Sequence, residues 1–349
     1  YWRRWRRSNS RSRNRLSVSL MKATVATPNW VWILLIAAVF GVSSAGALFQ
    51  QVDGVPPLLK ASWRLQLTTI VLAPLAFMQW KTHGHSLKSR FWQKDTILWL
   101  IAGGLFLALH FGAWVASLDE TSLTHSLLFV TAHPLIIVFG MALIARFSLS
   151  YFRSPNRYEV IGACVGFLGA AIALVDLGDQ QGGRTVTAWG DFLAFLGAVF
   201  VVGYIVSGRV LRKWMPIFLY AFPVTLIGAV ILLPASYLFE DEFTTYGAIG
   251  WIHGKYFWWF LALALIAGLL GHTGLNTCLR YIPPLVVSTS VTMEPIIGSM
   301  IGFVLFDTGL PGFWTWVGGP ILIAGILIVI IGSSQENTNN QTVEVLESS

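Results

Sequence analysis

The chain reads as a succession of long apolar runs separated by short polar connections. Ten runs stand out, near residues 30–49, 57–79, 96–117, 121–145, 158–175, 190–208, 216–239, 256–278, 284–306 and 313–332. Several approach or exceed the roughly 18 to 20 residues that a helix needs to cross a bilayer. The pattern predicts an all-α polytopic membrane protein with ten transmembrane helices. Tryptophans fall at the run ends (Trp30, Trp32, Trp80, Trp92, Trp214, Trp258, Trp259, Trp314, Trp316), where amphipathic rings anchor a span at the membrane interface. The closing stretch SSQENTNNQTVEVLESS is mostly polar and is expected to be disordered.

Composition agrees with this reading. Of the 349 residues, 55% are hydrophobic and 11% charged, against about 25% charged in soluble domains. A net charge of +7 invites a nucleic-acid reading, but seven of the 23 basic residues are arginines of YWRRWRRSNSRSRNRLSVSL, residues 1–20; without them the balance is 16 against 16. No nucleic-acid partner is expected. That segment precedes the first methionine, Met21, and three readings of it stay open: sequence upstream of the true start, an organelle presequence, or a basic tail before a first span. With the N-terminus placed in the cytoplasm, the cytoplasmic segments hold 19 Lys and Arg, against Lys60, Arg184 and Lys255 outside; without residues 1–20 the split is 12 against 3. Both termini are therefore expected in the cytoplasm, with the plasma membrane favoured over an organelle membrane. The two cysteines, Cys164 and Cys278, lie inside apolar runs, which excludes a disulfide framework and a cysteine zinc site. There is no HExxH, GxSxG, P-loop or strand-led GxGxxG, so no enzyme, metal or cofactor is expected.

The two halves of the chain echo each other. AAVFG at 37–41 faces GAVFV at 197–201, an offset of 160. Leu118, Val130, Thr131, Pro134 and Ile136 recur as Leu279, Val291, Thr292, Pro295 and Ile297, an offset of 161, and Gly162 and Gly169 recur as Gly318 and Gly325, an offset of 156. Each half holds five runs, and an odd number forces the second half into the opposite orientation. The expectation is an inverted repeat with a binding site near the midplane. The boundaries are a tail at 1–29, a first repeat at 30–175, an extracytoplasmic linker at 176–189, a second repeat at 190–332 and a tail at 333–349.

Polar residues inside the runs are the candidates for chemistry. Glu294 sits in VVSTSVTMEPIIGSMIGFVLF, where a carboxylate costs roughly 3 kcal/mol even on the lenient insertion scale. His133 occupies the matching place in LFVTAHPLIIVFG; each follows Val-Thr-x and precedes a proline. Either can carry a proton or face a substrate, since intramembrane ionisable groups usually face the bundle interior. Either can instead be a bonded structural group beside a proline kink. His110 and Trp114 are four apart on one helical face, as are His272 and Asn276; His110 is expected in the outer half of the membrane and His272 in the inner half. These pairs line a cavity or make interhelical bonds worth about 0.6 kcal/mol, and Trp114 has a further reading as a belt residue. Arg64 lies seven residues below the outer surface, roughly 10 Å at helical rise. It can snorkel outward, pair with an acid, or hold a substrate carboxylate bidentately. Ser43, Ser44 and Tyr204 are polar residues near the proposed interface of the halves, and the glycines at 162, 166, 169, 318, 319 and 325 suit close helix packing.

These segments resemble the EamA-type transporters of the drug/metabolite transporter superfamily, over roughly residues 30–332. WRLQLTTIVLAPLAF, with Arg64, is similar to the family's second helix. GLFLALHFGAWVASLDETSLTHSLLFVTAHPLIIVFGMALI is similar to its third and fourth, GDFLAFLGAVFVVGYIVSGRVLRK to the start of its second repeat, and VVSTSVTMEPIIGSMIGFVLF to its ninth. The family's Gly-Glu pair after the fourth and ninth helices is absent: those places read ARFSLS and LFDTGL, with Asp307 as a stand-in in the second. The resemblance implies a ten-helix bundle that exports or exchanges small organic metabolites such as amino acids from a central cavity.

A mostly apolar, aromatic cavity with few charges favours amphipathic or zwitterionic substrates, by alternating access and with proton coupling as an option. A sugar-phosphate or nucleotide-sugar exchanger is the nearest alternative and would call for more cations than Arg64. Readings from other classes are a non-transporting receptor or scaffold and an intramembrane enzyme; the latter needs a nucleophile beside a base, and no such dyad is evident. Expected partners are a small-molecule substrate and the lipid bilayer, with a homodimer as an option.

Overall fold

The computed structural model describes residues 27–146, 155–173, 175, 180–181, 184–282, 284–307 and 310–347. The basic segment 1–20, most of the linker at 176–183 and the ARFSLS stretch beyond Arg146 lie outside them. The helices are α1 (Asn29–Gln50), α2 (Pro57–Thr82), α3 (His85–Phe91), α4 (Lys94–Glu120), α5 (Leu123–Val130), α6 (His133–Arg146), α7 (Arg157–Ala173), α8 (Ala188–Arg212), α9 (Ile217–Phe239) and α10 (Phe243–Tyr246). They continue with α11 (Gly254–Ala262), a π-helical segment (Leu263–Thr273), α12 (Gly274–Cys278), α13 (Pro284–Val291), α14 (Glu294–Phe306) and α15 (Phe313–Glu347). One antiparallel pair, β1 (Gln180–Gln181) and β2 (Arg184–Thr185), interrupts the helical order in the linker.

Among the described residues, six helical stretches are long and apolar enough to cross a membrane: Asn29–Gln50, Lys94–Glu120, Leu123–Gly140, Ala188–Arg212, Ile217–Phe239 and Gly254–Cys278. Glu294–Phe306 and Phe313–Val329 are shorter apolar helices. The protein is an all-α, multi-pass integral membrane protein. Its outer surface carries large apolar side chains such as Ile33, Phe77, Val304 and Leu305, and the polar groups are turned inward. Helix α2 makes the point: at 26 residues it is long enough to span, yet it carries Lys60, Ser62, Arg64, Thr68 and Thr69, all buried.

Small residues set the helix contacts. A Cβ added to Gly169 of α7 would stand 2.3 Å from Leu322 N of α15, and one on Gly41 of α1 would stand 2.7 Å from Ile266 O of the π-helical segment. At both places backbone meets backbone, so the glycine stripes at 162–169 and 318–325 serve packing. At one end of the bundle, Glu240 accepts hydrogen bonds from Leu58 N (2.5 Å), Leu59 N (3.0 Å) and Ser236 Oγ (2.5 Å), capping the open amides of α2. Burial pushes its carboxyl above the usual carboxylate range.

Three features depart from the sequence reading. Helix α15 runs on to Glu347, so the chain continues helically into the tail expected to be disordered. Asp307 ends α14 in the left-handed conformation, φ 52°, a place that glycine usually fills. The eighth apolar run is not a plain α-helix: over Leu263–Thr273 the backbone ladder widens to i→i+5, and the Thr273 hydroxyl donates back to Gly268 O (3.0 Å).

Candidate functional site

Two helices break inside the bundle, in the same way. Helix α5 ends at Val130, two residues turn, and α6 starts on His133 with Pro134 next. Helix α13 ends at Val291, two residues turn, and α14 starts on Glu294 with Pro295 next. Both bounds that frame the first break repeat at the second at an offset of 161 residues, Val130 as Val291 and His133 as Glu294. The proline explains the restart: it lacks an amide hydrogen and fits the first helical turn, where that hydrogen would have no acceptor. Each break presents a helix N-terminus and a titratable side chain to the interior.

Both side chains face one cavity of ≈ 60 Å³, whose lining also includes His110, Trp114, Tyr204, His272, Asn276 and Ser288. That volume holds a few waters. Arg64 lines a smaller adjoining space of ≈ 10 Å³, which shares Tyr204 and His272 with the first. The fold thus gathers, from both halves of the chain, the polar residues singled out above for the interior other than Ser43 and Ser44. The Ser43 and Ser44 hydroxyls are spent within their own helix, donating to Val39 O (2.7 Å) and Gly41 O (2.8 Å).

Geometry narrows what each group can do. His110 Nδ1 lies 2.9 Å from Gly197 O; a carbonyl only accepts, so Nδ1 carries the hydrogen and Nε2 of the neutral ring is an acceptor. Its ring stacks on Trp114 at 6.1 Å and 8°, and lies 6.3 Å from the His272 ring. The two histidines are therefore neighbours in the cavity wall. Trp114 is 3% exposed, which removes the belt reading, and its Nε1 hydrogen has no acceptor. Asn276 Nδ2 donates to Tyr204 Oη (2.5 Å) and His272 O (2.8 Å). That fixes the amide's orientation and leaves Oδ1 buried without a donor. Tyr204, accepting from Asn276, keeps its own hydroxyl hydrogen to give.

Arg64 is the most unusual group. It is 1% exposed, so it does not snorkel, and none of its three guanidinium nitrogens has a hydrogen-bond partner. The guanidinium lies over the Phe111 ring at 4.2 Å and the Phe49 ring at 5.5 Å. Such stacking supplies about 2 kcal/mol when desolvated, well short of what an unpaired buried charge costs. Glu294 acts on it electrostatically without forming an ion pair. Among the described residues, burial and the charge of Arg64 are what act on the Glu294 carboxylate. His133, by contrast, is bonded through Nδ1 to Ser288 Oγ (2.9 Å).

Beyond the cavity each end is fastened. On one side His125 bridges Asp191 Oδ2 (3.0 Å) and Thr315 Oγ1 (2.9 Å), and Thr121 donates to Asp191 Oδ1 (3.0 Å), joining α4, α5, α8 and α15. Sequence reasoning missed His125, Thr315, Ser288 and the Phe111 ring under Arg64. On the other side Arg212 Nε donates to Asn276 O (3.2 Å) and its Nη1 to Met215 O, while Arg209 Nη1 donates to Leu279 O. Among the described residues no group of three His, Cys, Asp or Glu is placed to hold a metal ion.

Residues 188–331 match the profile of the EamA-like transporter family. No curated protein matches the chain. It is similar to a solved structure described only as a crystal structure of a protein, with a TM-score of 0.60 and 19% identity over 88% of this chain and 99% of that one. At that identity the likeness shows the fold alone.

Proposed function

We propose that this chain is one of the EamA-like transporters of the drug/metabolite transporter superfamily, whose family profile its residues 188–331 match, and that it is a membrane transporter rather than an enzyme. It is a secondary transporter that exports or exchanges a small organic metabolite by alternating access. Its architecture is ten spans in two inverted repeats, residues 30–175 and 190–332, with both termini in the cytoplasm. The matched breaks at His133 and Glu294 support the repeat.

One observation carries the substrate class. The cavity and its annex present buried, unpartnered polar groups of both kinds: donors on Arg64 and Trp114, and an acceptor on Asn276. Leaving such groups unmade costs about 1–3 kcal/mol each, more where charged. A zwitterion meets both kinds. Its carboxylate suits the planar fork of Arg64, its ammonium suits Asn276 Oδ1 and Glu294, and its apolar part suits Val42, Val130, Val201 and Val291. An amino acid or similar metabolite fits better than a sugar phosphate, because Arg64 is the sole lysine or arginine among the described residues lining these two spaces.

Flux of a metabolite panel through the reconstituted protein, with and without a pH gradient, tests this reading. Zwitterionic substrates should move and phosphorylated ones should not. A substrate-induced thermal shift without flux would replace the transporter reading with a receptor.

A further inference from the structure

A second, larger concavity lies away from the central cavity, between α2, α4 and α9. It measures ≈ 560 Å³, and its lining is apolar: Ala76, Leu100 and Leu219 at the floor, and Phe77, Trp92 and Ile101 among the exposed walls. Along α9 the lining runs from Leu219 to Ile227, about 12 Å at 1.5 Å per residue, most of one leaflet's share of a hydrocarbon core about 30 Å thick. The floor exists because the facing α2 positions are small, Ala73 and Ala76, and because Pro223 of α9 brings no long side chain to the gap.

The mouth of this groove is positively charged. Lys81 Nζ lies 4.4 Å over the Phe77 ring and Lys88 Nζ 5.5 Å over the Trp80 ring, and both rings line the groove. Arg90 follows on α3, stacked on Trp214 at 4.3 Å, and Lys94 opens α4. Within the same stretch, residues 81–95, these four cations are matched by one carboxylate, Asp95 in the first turn of α4. Basic residues at a span's end are ordinary topology signals. Here, though, two of them sit directly on the rings that wall an acyl-sized slot, and α3 holds a third beside it.

We propose that this groove is a binding site for an anionic phospholipid of the surrounding membrane, with an acyl chain between α2, α4 and α9 and the phosphate at Lys81, Lys88 and Arg90. The two halves of the site match the two halves of the ligand. A zwitterionic lipid would fill the slot equally well but gain little from the cations, whereas an anionic headgroup is attracted by each of them. The site is separate from the substrate cavity and does not depend on what is transported.

The test uses the full-length protein in liposomes that contain trace photoreactive phosphatidylglycerol or photoreactive phosphatidylcholine with identical acyl chains. Labelled residues are located by mass spectrometry. Phosphatidylglycerol should label residues 73–80 and 97–101 several-fold more than phosphatidylcholine. Replacing Lys81, Lys88 and Arg90 together by glutamine should remove that several-fold excess and bring the two lipids level. Ala73→Trp fills the slot from a half-buried position and should lower labelling by both lipids there and nowhere else. Equal labelling of the wild-type groove by the two lipids would reduce it to ordinary solvation by lipid and overturn the proposal. So would absent labelling together with a cross-link joining two copies through this face, which would give the groove to a second copy of the chain.

Discussion

The two broken helices share a backbone device and differ in what holds the group at the break. At the first, His133 is tied to Ser288, a residue of the opposite broken helix. At the second, Glu294 lines the cavity with burial and the distant charge of Arg64 as its main influences. One side chain is anchored across the pseudo-symmetry, and its counterpart is left free to answer to whatever enters. A carboxylate in that position must be neutral or paired when sealed from water and can ionise when opened to it. Symmetry of backbone with asymmetry of anchoring therefore suggests a division of labour: His133 joins the halves, and Glu294 couples them to a proton.

The largest expected effect breaks this comparison outright. Glu294→Gln keeps size and hydrogen bonding but cannot ionise, so folding should survive while proton-gradient-driven accumulation disappears and the flux–pH profile flattens. His133→Gln, measured in the same liposomes, should keep the pH dependence. If Glu294→Gln retains the wild-type profile and Pro295→Ala is the more damaging change, the break is structural and the proton-carrier idea falls.

Arg64 sharpens the comparison from the space that adjoins the cavity. Arg64→Lys replaces a planar fork by a point charge. Lost charge-assisted bonds of about 1.5–3 kcal/mol correspond to roughly 10- to 100-fold weaker substrate binding. Esterifying the substrate carboxylate should then weaken the wild type far more than the variant; equal losses in both would make Arg64 a structural residue.

A control separates site from scaffold. Gly169→Leu leaves both breaks untouched but forces α7 off α15, where even a Cβ would meet Leu322 N at 2.3 Å. Overpacking of this kind costs about 1–3 kcal/mol or more, so the melting temperature in detergent should fall while the pH profile of the surviving protein stays as in wild type. A changed profile would mean that the comparison reports packing, not proton coupling.

Much of this arrangement is legible in the sequence for identifiable reasons. A titratable residue followed by proline inside an apolar run is costly twice over, so Glu294 and His133 stand out in the sequence as interior candidates beside a proline kink, although the full break of each helix does not. The four-residue spacings of His110 with Trp114 and of His272 with Asn276 place each pair on one face, and the six-residue and longer glycine stripes announce tight crossings. What sequence periodicity misses is long-range or non-periodic. The π-helical turn over Leu263–Thr273 has no letter signature, and neither has the 6.3 Å approach of the His272 ring to His110. The His125–Asp191–Thr315 link joins residues up to 190 positions apart, and the separate letters give no pairing. Arg64 is legible as a buried charge, but its aromatic clamp between Phe49 and Phe111 depends on the crossing of three helices.

The smallest effect concerns the anchor itself. If the bond between Ser288 and His133 is what distinguishes the two breaks, its loss should cost about 1 kcal/mol of stability, the usual net worth of a buried hydrogen bond. Ser288→Ala removes the hydroxyl with little change of shape, and His133→Gln removes the ring. Each single change also disturbs packing, so neither alone measures the bond. A double-mutant cycle does, because packing losses that are independent cancel from the coupling term. Thermal unfolding of the wild type, both single variants and the double variant in one detergent should give a coupling of about 1 kcal/mol, with His133→Gln costing markedly less once Ser288 is already alanine. Additive losses would mean that the 2.9 Å contact carries no net energy; His133 would then be as unrestrained as Glu294, and the asymmetry between the two breaks would have to come from the chemistry of the side chains alone.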